Sequence, residues 1–402
     1  MSGIPAHTAN KVHSRNGVPV VDADDFRTPF VWFGGKRSVA AHVWERFGNP
    51  INYVEPFFGS GAVLLARPAA HRWWERFEVA NDQDAYVTNF FRAMRAAPDE
   101  VVGHAANPVS EVDLTARHVW LVQTRPDLTA RLMADPDAYD TRAAGWWAWG
   151  VCSWVAGDWC TGVGGYRGNG PATLPDGTKA PGVYRKIPMM SGDHGGKGVN
   201  RPRPVTGAVP SDLWPGSPDV DGSQTEDLMR EFRALANRLR RVRFACGDFM
   251  RVLRRPAQTA GKNVTGVFLD PPYAPAERRG DLYGVGDRHG AAAPADGHPA
   301  DRARVWALDN GADPKFRIAY CGYDSPASDL FEAAGWNPHH WTTAGGYALS
   351  GGAENRSRAN MSREVIWFSP HCLNPETAPM SLFDSPGDLS EPPEAQDVRT
   401  EA

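Results

Sequence analysis

The chain has 402 residues, a formal net charge of −4, 42% hydrophobic and 22% charged side chains, a composition that excludes a wholly disordered protein and allows one large core or two modest ones. No window supplies the roughly 20 apolar residues of a membrane-spanning helix, the first ten residues lack a basic and then apolar leader pattern, and the acidic balance excludes coating of nucleic acid by bulk charge. Five scattered cysteines, Cys152, Cys160, Cys246, Cys321 and Cys372, form no CxxC pair, which points to reduced thiols and a cytoplasmic location.

Residues 1–25 are polar and unpatterned and read as a flexible N-terminal arm. Periodic structure begins near Phe26. "INYVEPFFGSGAVLLA" predicts a strand around Tyr53 and Val54, a glycine-rich turn and an apolar helix start, and "FEVANDQD" a second strand ending in polar residues. A helix follows in "AYVTNFFRAMRAAPDEVV", with Tyr86, Phe90, Phe91 and Met94 on one face. Strand, loop, helix, strand is the opening of a parallel α/β sheet. Residues 98–224 differ in character: a tryptophan-dense stretch around 145–159 precedes a long glycine- and proline-rich span. From Glu226 the α/β pattern resumes with a helix to Arg240, strands at "RVRFAC", "VTGVFLD" and "FRIAYC", a helix through "ASDLFEAAG" and a last strand at "REVIWFS". The expected organisation is one α/β domain from 26–97 and 225–371, interrupted by an inserted segment at 98–224 and followed by a disordered acidic tail at 372–402. Charge is uneven along it, with ten basic and four acidic residues from Glu226 to Lys262, and seven acidic residues and one arginine from His371 onward.

Several strand ends carry candidate chemistry. Gly59 and Gly61 stand where the chain must turn tightly from strand to helix and let a ligand approach the backbone, although such turns also serve packing alone. No GxxxxGK[ST] pattern is present, which argues against a triphosphate loop. Asp82 follows the second strand at the separation from which an acid accepts hydrogen bonds from a ribose. Asp248 and Phe249 close a third strand with an acid and an aromatic ring suited to an adenine. Trp32, Gly34, Gly35 and Lys36 lie just upstream in "FVWFGGKR". "LDPPYAP" follows the apolar run "VTGVF" and sets a carboxylate, two prolines and a tyrosine at a strand end, where ligands bind in open α/β sheets.

In their order, "WFGGKR", "YVEPFFGSGAV", "ND", "GDF" and "DPPY" resemble the class D12, Dam-like, family of DNA adenine N6-methyltransferases, and the closing "GYALSGGAENRSRANMSREVIWFSPHCL" resembles a bacteriophage branch of it. The resemblance implies a Rossmann-like S-adenosylmethionine-dependent methyltransferase sheet with helices on both faces, acting as a monomer in the cytoplasm of a bacterial host. It implies that Trp32, Gly34, Gly35 and Lys36 line the methionine end of S-adenosyl-L-methionine, that Glu55, Phe57, Gly59 and Gly61 form its floor, that Asp82 holds the ribose and that Asp248 and Phe249 hold the adenine. Phe33 and Ser60 depart from the family pattern, which often has alanine and glycine there.

The catalytic expectation rests on Asp270, Pro271, Pro272 and Tyr273. The N6 lone pair of adenine is delocalised into the ring, so the amine must be held where it can pyramidalise. Asp270 accepts one of its hydrogens and the Pro271 carbonyl the other, with proline's fixed φ holding the pair of acceptors rigid. Tyr273 stacks on a base flipped from double-stranded DNA. An N4-cytosine methyltransferase uses the same exocyclic-amine chemistry and is the nearest alternative, and a non-catalytic nucleic-acid-binding relative is another. Segment 98–224 is expected to read the DNA target through Arg167, Arg185, Lys186, Arg201 and Arg203, with Tyr184 beside them. In the tail, "PMSLFDS" resembles short sliding-clamp peptides, so Leu382 and Phe383 are candidate clamp contacts, although Pro379 stands where those peptides usually carry glutamine.

Overall fold

The computed structural model describes residues 26–32, 34–153, 159–160, 223–254, 263–272, 297–324, 329–341 and 364–374, with the backbone of four short strands at 13–15, 18–20, 171–173 and 179–184. Two antiparallel pairs stand outside the main sheet. They are β1 (His13–Arg15) with β2 (Val18–Val20), within the segment read as a loose arm, and β5 (Pro171–Thr173) with β6 (Lys179–Tyr184).

The other seven strands form one mixed α/β sheet. In chain order they are β3 (Asn52–Glu55), β4 (Phe77–Asp82), β7 (Arg243–Cys246), β8 (Thr265–Leu269), β9 (Phe316–Tyr323), β10 (Asn337–His340) and β11 (Glu364–Phe368). In space the order is β10-β11-β9-β8-β3-β4-β7. β7, β4, β3, β8 and β9 run parallel, and β11 runs antiparallel to both β9 and β10. The chain therefore works outward from β3 in one direction through β4 and β7, returns, and works outward in the other from β8. The reversal leaves a crevice at the carboxyl ends of β3 and β8.

Burial on both faces follows from alternation along the strands. Tyr53, Phe268, Ala319, Cys321, Ile366 and Phe368 point into one apolar cluster, while Val54, Val267, Leu269, Ile318, Val365 and Trp367 point into another. The first cluster takes in α1 (Ala40–Phe47), α2 (Ala62–Leu65), α3 (Ala85–Ala96), α4 (Pro98–Ala105), α5 (Glu111–Ala134), α6 (Thr141–Ser153) and α7 (Ser223–Leu239). The second takes in α8 (Met250–Leu253), α9 (Pro299–Asn310) and α10 (Asp329–Ala333). Helices α4 to α6 belong to the segment expected to read DNA, yet they share this core: Trp147 and Trp149 are buried, and Trp147 packs on Phe30 with ring centroids 4.9 Å apart.

A buried ion cluster ties β4 to its neighbours. Glu78 accepts from Arg67 Nη1 at 3.2 Å and from Arg238 Nη1 and Nη2 at 2.6 and 3.0 Å, all three side chains being at most 3% exposed. The guanidinium of Arg67 also lies over the ring of Trp44, and that of Arg238 over Trp73. Cys372, expected to open the tail, is buried, with its Sγ against the Ile318 carbonyl and Ser369 Oγ, so the described fold takes in at least three residues, 372–374, of the expected tail. No helix among the described residues is long and apolar enough to cross a membrane.

Candidate active site

A cleft opens where the chain reverses, between the carboxyl ends of β3, β4, β7 and β8. Eleven of the expected site residues line it: Trp32, Gly35 and Lys36 from the segment before α1, Glu55, Phe57 and Gly59 after β3, Asp82 closing β4, Asp248 and Phe249 after β7, and Asp270 and Pro272 after β8. Gly34, Gly61 and Pro271 adjoin those residues without lining the cleft. Tyr273, Arg167, Arg185, Lys186, Arg201, Arg203, Leu382 and Phe383 lie outside the described residues, as does Phe33.

The β3 turn is shaped by its glycines. Gly59 has φ +50° and Gly61 φ +70°, both in the left-handed region that side chains disfavour. The space beside them is filled by the protein itself. A Cβ on Gly59 would meet the Trp32 indole at 2.4 Å, and one on Gly61 the Phe58 ring at 2.5 Å. The expectation that these glycines admit a ligand to the backbone is thus corrected in part: they admit Trp32 and Phe58, and the Gly59 N–H turns to Asp82 Oδ2 at 2.8 Å.

Asp82 is an organising acid. Its Oδ1 accepts from the Asp84 N–H at 2.8 Å while Oδ2 holds Gly59, which fixes the β3 turn against the end of β4. Burial pushes its pKa up to about 7 against these backbone hydrogen bonds. Its neighbour Asn81 donates through Nδ2 to the carbonyls of Pro56 and Gly247, each at 3.0 Å. Both partners are acceptors, so the amide orientation is set, and Oδ1 is left buried with no partner among the described residues. Glu55 is buried as well. Its Oε2 accepts from Tyr53 Oη at 2.9 Å and the Leu64 N–H at 3.1 Å, and burial raises its pKa to about 8.

On the β7 side, Phe57 and Phe249 lie 4.8 Å apart, centroid to centroid, at 33°. Phe249 is buried in the second apolar cluster and Phe57 only half-buried, so Phe57 presents the more accessible ring. Asp248 was expected to accept from an adenine amine or to position a donor. It is instead held by Arg302, which reaches from α9 to both carboxylate oxygens, at 2.7 and 3.2 Å, and lies over Phe249 at 5.0 Å. Burial alone would raise the Asp248 pKa, but the Arg302 and Met250 hydrogen bonds outweigh it and hold the carboxyl below the usual range.

Asp270 stands directly after β8 with its side chain 22% exposed, towards the cleft. Lys36 Nζ lies 3.0 Å from Asp270 Oδ2, donates to the Gly34 carbonyl at 2.7 Å and sits 5.7 Å from the Trp341 ring centroid. Lys36 is therefore turned to the β8 carboxylate as well as lining the cleft. Burial raises the Asp270 pKa, and the Lys36 ammonium opposes the rise.

Sequence reasoning missed Arg302, Glu364 and the part of Asn81 in tying the turns after β3 and β7 together. A helix start is legible in "HPADR", with His298 as N-cap and Pro299 in the first turn, but no local pattern links Arg302 to Asp248. No family model matches this chain, and no curated protein matches it either.

Proposed function

We propose that this protein is a DNA methyltransferase that moves the methyl group of S-adenosyl-L-methionine to the N6 amine of a flipped adenine. The observation that carries the reading is Asp270: a partly exposed carboxylate, followed by two prolines, at the carboxyl end of β8 in the crevice beside the Asp82-braced glycine turn. The sheet supports a Rossmann-like reading, because its switch point between β3 and β8 coincides with the cleft.

The donor and acceptor set fits the cofactor. Asp82 offers an acceptor for ribose hydroxyls, the Phe57 ring a surface for adenine, and Glu55 an acid at the floor. When bound, S-adenosylmethionine supplies an electrophilic methyl group on a sulfonium sulfur. The chain's own task is the amine. Asp270 and the Pro271 carbonyl accept its two hydrogens, which favours a pyramidal nitrogen with a localised lone pair. The walls formed by Trp32, Phe57 and Pro272 keep water from the reacting atoms.

Double-stranded DNA is the proposed partner, with 98–224 as the target-reading segment. The test is calorimetric titration with S-adenosylmethionine, then incubation with unmethylated DNA and mass analysis of the nucleosides released by digestion. N6-methyladenine supports the reading, N4-methylcytosine replaces the base, and neither product refutes the methyltransferase assignment.

A further inference from the structure

The amine must shed a proton once it is methylated, and the side chains beside Asp270 offer that proton a path out of the cleft. β11 is antiparallel to β9, so its first residue, Glu364, lies at the edge where the parallel strands end. The Glu364 carboxylate reaches to 4.0 Å from Lys36 Nζ, on the ammonium that Asp270 holds at 3.0 Å. Glu364 Oε2 is buried with no hydrogen-bond partner among the described residues. Two carboxylates thus share one ammonium, a unit of net charge −1 that has room for one more proton. Glu55 from β3 and Cys321 from β9 also face it, and neither brings a positive charge.

Accessibility gives the unit a direction. Asp270 lines the cleft that substrate would fill, whereas Glu364, with 11% of its side chain exposed, is not among the residues lining that cleft. Burial raises the pKa of Glu364 and so favours its protonated form, the Lys36 ammonium opposes this and the Asp270 charge adds to it.

Resting on the methyltransferase reading, we propose that Asp270, Lys36 and Glu364 form a proton relay that carries the amine's proton from the cleft to the edge of β11. The nitrogen lone pair forms the new N–C bond as the C–S bond breaks and leaves its electron pair on sulfur. The cationic nitrogen passes one proton to Asp270. Lys36 gives a proton to Glu364 and takes the one on Asp270, which leaves the Asp270 carboxylate, the Lys36 ammonium and a protonated Glu364. Glu364 then returns its proton to water. In this scheme Asp270 is the catalytic residue, and Glu364 acts through Lys36 as a positioning residue.

The test compares wild type, Glu364→Gln and Glu364→Asp in single-turnover methyl transfer from pH 5.5 to 9, with cofactor and DNA dissociation constants measured in parallel. Carboxyl 13C titration of the free protein supplies a readout independent of turnover, with Asp270 assigned through Asp270→Asn. Glu364→Gln is expected to slow transfer about a hundredfold with binding unchanged, to reshape the pH profile, and to lower the Asp270 midpoint because a negative neighbour is gone. Glu364→Asp keeps a carboxylate and is expected to recover part of the rate. It also carries the comparison if the glutamine variant does not fold, through a rate loss of about tenfold at unchanged binding. Normal transfer by wild type with unaltered rate and profile in the variants removes the relay alone, as does an Asp270 titration that ignores the substitution. Absence of transfer by wild type on any DNA sinks the methyltransferase reading and the relay with it.

Discussion

Glu55 gives the sharpest test of the site's electrostatics. It sits at the end of β3, 2% exposed, with two donors on one oxygen and no cation among the groups that shift its titration. Burial moves its pKa from the usual 4.5 to about 8. At about 1.36 kcal/mol per pH unit, that shift corresponds to at most about 5 kcal/mol of folding stability. The sign follows from the direction. The folded state holds the proton more tightly than the unfolded state, so Glu55's contribution is complete below pH 4.5 and is lost as pH rises through 8.

Glu55→Gln mimics the protonated acid and keeps an oxygen for Tyr53 and Leu64. In guanidinium unfolding followed by tryptophan fluorescence, the variant should match wild type near pH 5 and exceed it progressively up to pH 9. Asp82 titrates in both proteins and cancels in the difference, whereas the coupling between Asp270 and Glu55 is part of what the difference reads. A cationic ligand placed beside Glu55 favours its ionised form, so S-adenosylmethionine affinity should rise with pH in wild type and stay flatter in the variant. Stability curves that run parallel from pH 5 to 9 would refute the claim that burial keeps Glu55 protonated.

Asp270→Ala should abolish methyl transfer while cofactor binding stays within about tenfold, roughly 1.4 kcal/mol; near-normal turnover would remove Asp270 from catalysis. Asp82→Ala should instead weaken cofactor binding first, because it frees the Gly59 turn, and an unchanged dissociation constant would remove Asp82 from the site. Gly59→Ala combines a φ of +50° with a 2.4 Å approach to Trp32, and should cost about 1–3 kcal/mol in chemical unfolding. Glu78→Ala strands two buried guanidinium groups, and a loss of about 3–5 kcal/mol is expected; a loss under about 1 kcal/mol would mean that the carbonyls of Pro50 and Leu64 satisfy Arg67 and Arg238 alone.

The strands that carry the cleft were legible because each is short, apolar and ended by a turn signal: "NYVE", "FEVAND", "TGVFL" and "EVIWF" all lie where the hydrophobic runs put them. Helices α5 and α6 were not, and the single helix read over 85–102 is broken at Ala97 into α3 and α4. Helix α5 has a proper start, with Ser110 accepting from the Asp113 N–H, but Pro126 interrupts its interior, which reads as a break. Helix α6 is rich in glycine and tryptophan because it is packed tightly against its neighbours. A Cβ on Gly145 would meet His104 Cβ of α4 at 2.4 Å, and one on Gly150 the Trp159 ring at 1.9 Å, so these glycines report a helix crossing and a ring contact that a single sequence does not display. β10 reads "NPHH". Its proline is tolerated because the strand lies at the sheet edge and pairs on one side only, with β11.

The candidate site divides along the same line. Residues whose role shows in a short local pattern were readable as motifs, as with the glycine turn of Gly59 and Gly61 and the acid Asp82 that closes β4. Residues whose partners arrive through the topology were not: Asp248 was matched to a ligand because nothing near it in the chain announces Arg302, and Lys36 was matched to the cofactor because Asp270 and Glu364 join it only once the sheet has formed. Glu364 is the extreme case. In a parallel strand its position would lie at the edge away from the cleft, and the reversal of β11 between β9 and β10 alone delivers an acid at the start of a strand to the carboxyl ends of the others. The identity of that residue is in the sequence, but its chemistry comes from the strand direction. A proton path that depends on it can be reasoned about only after the sheet order is known.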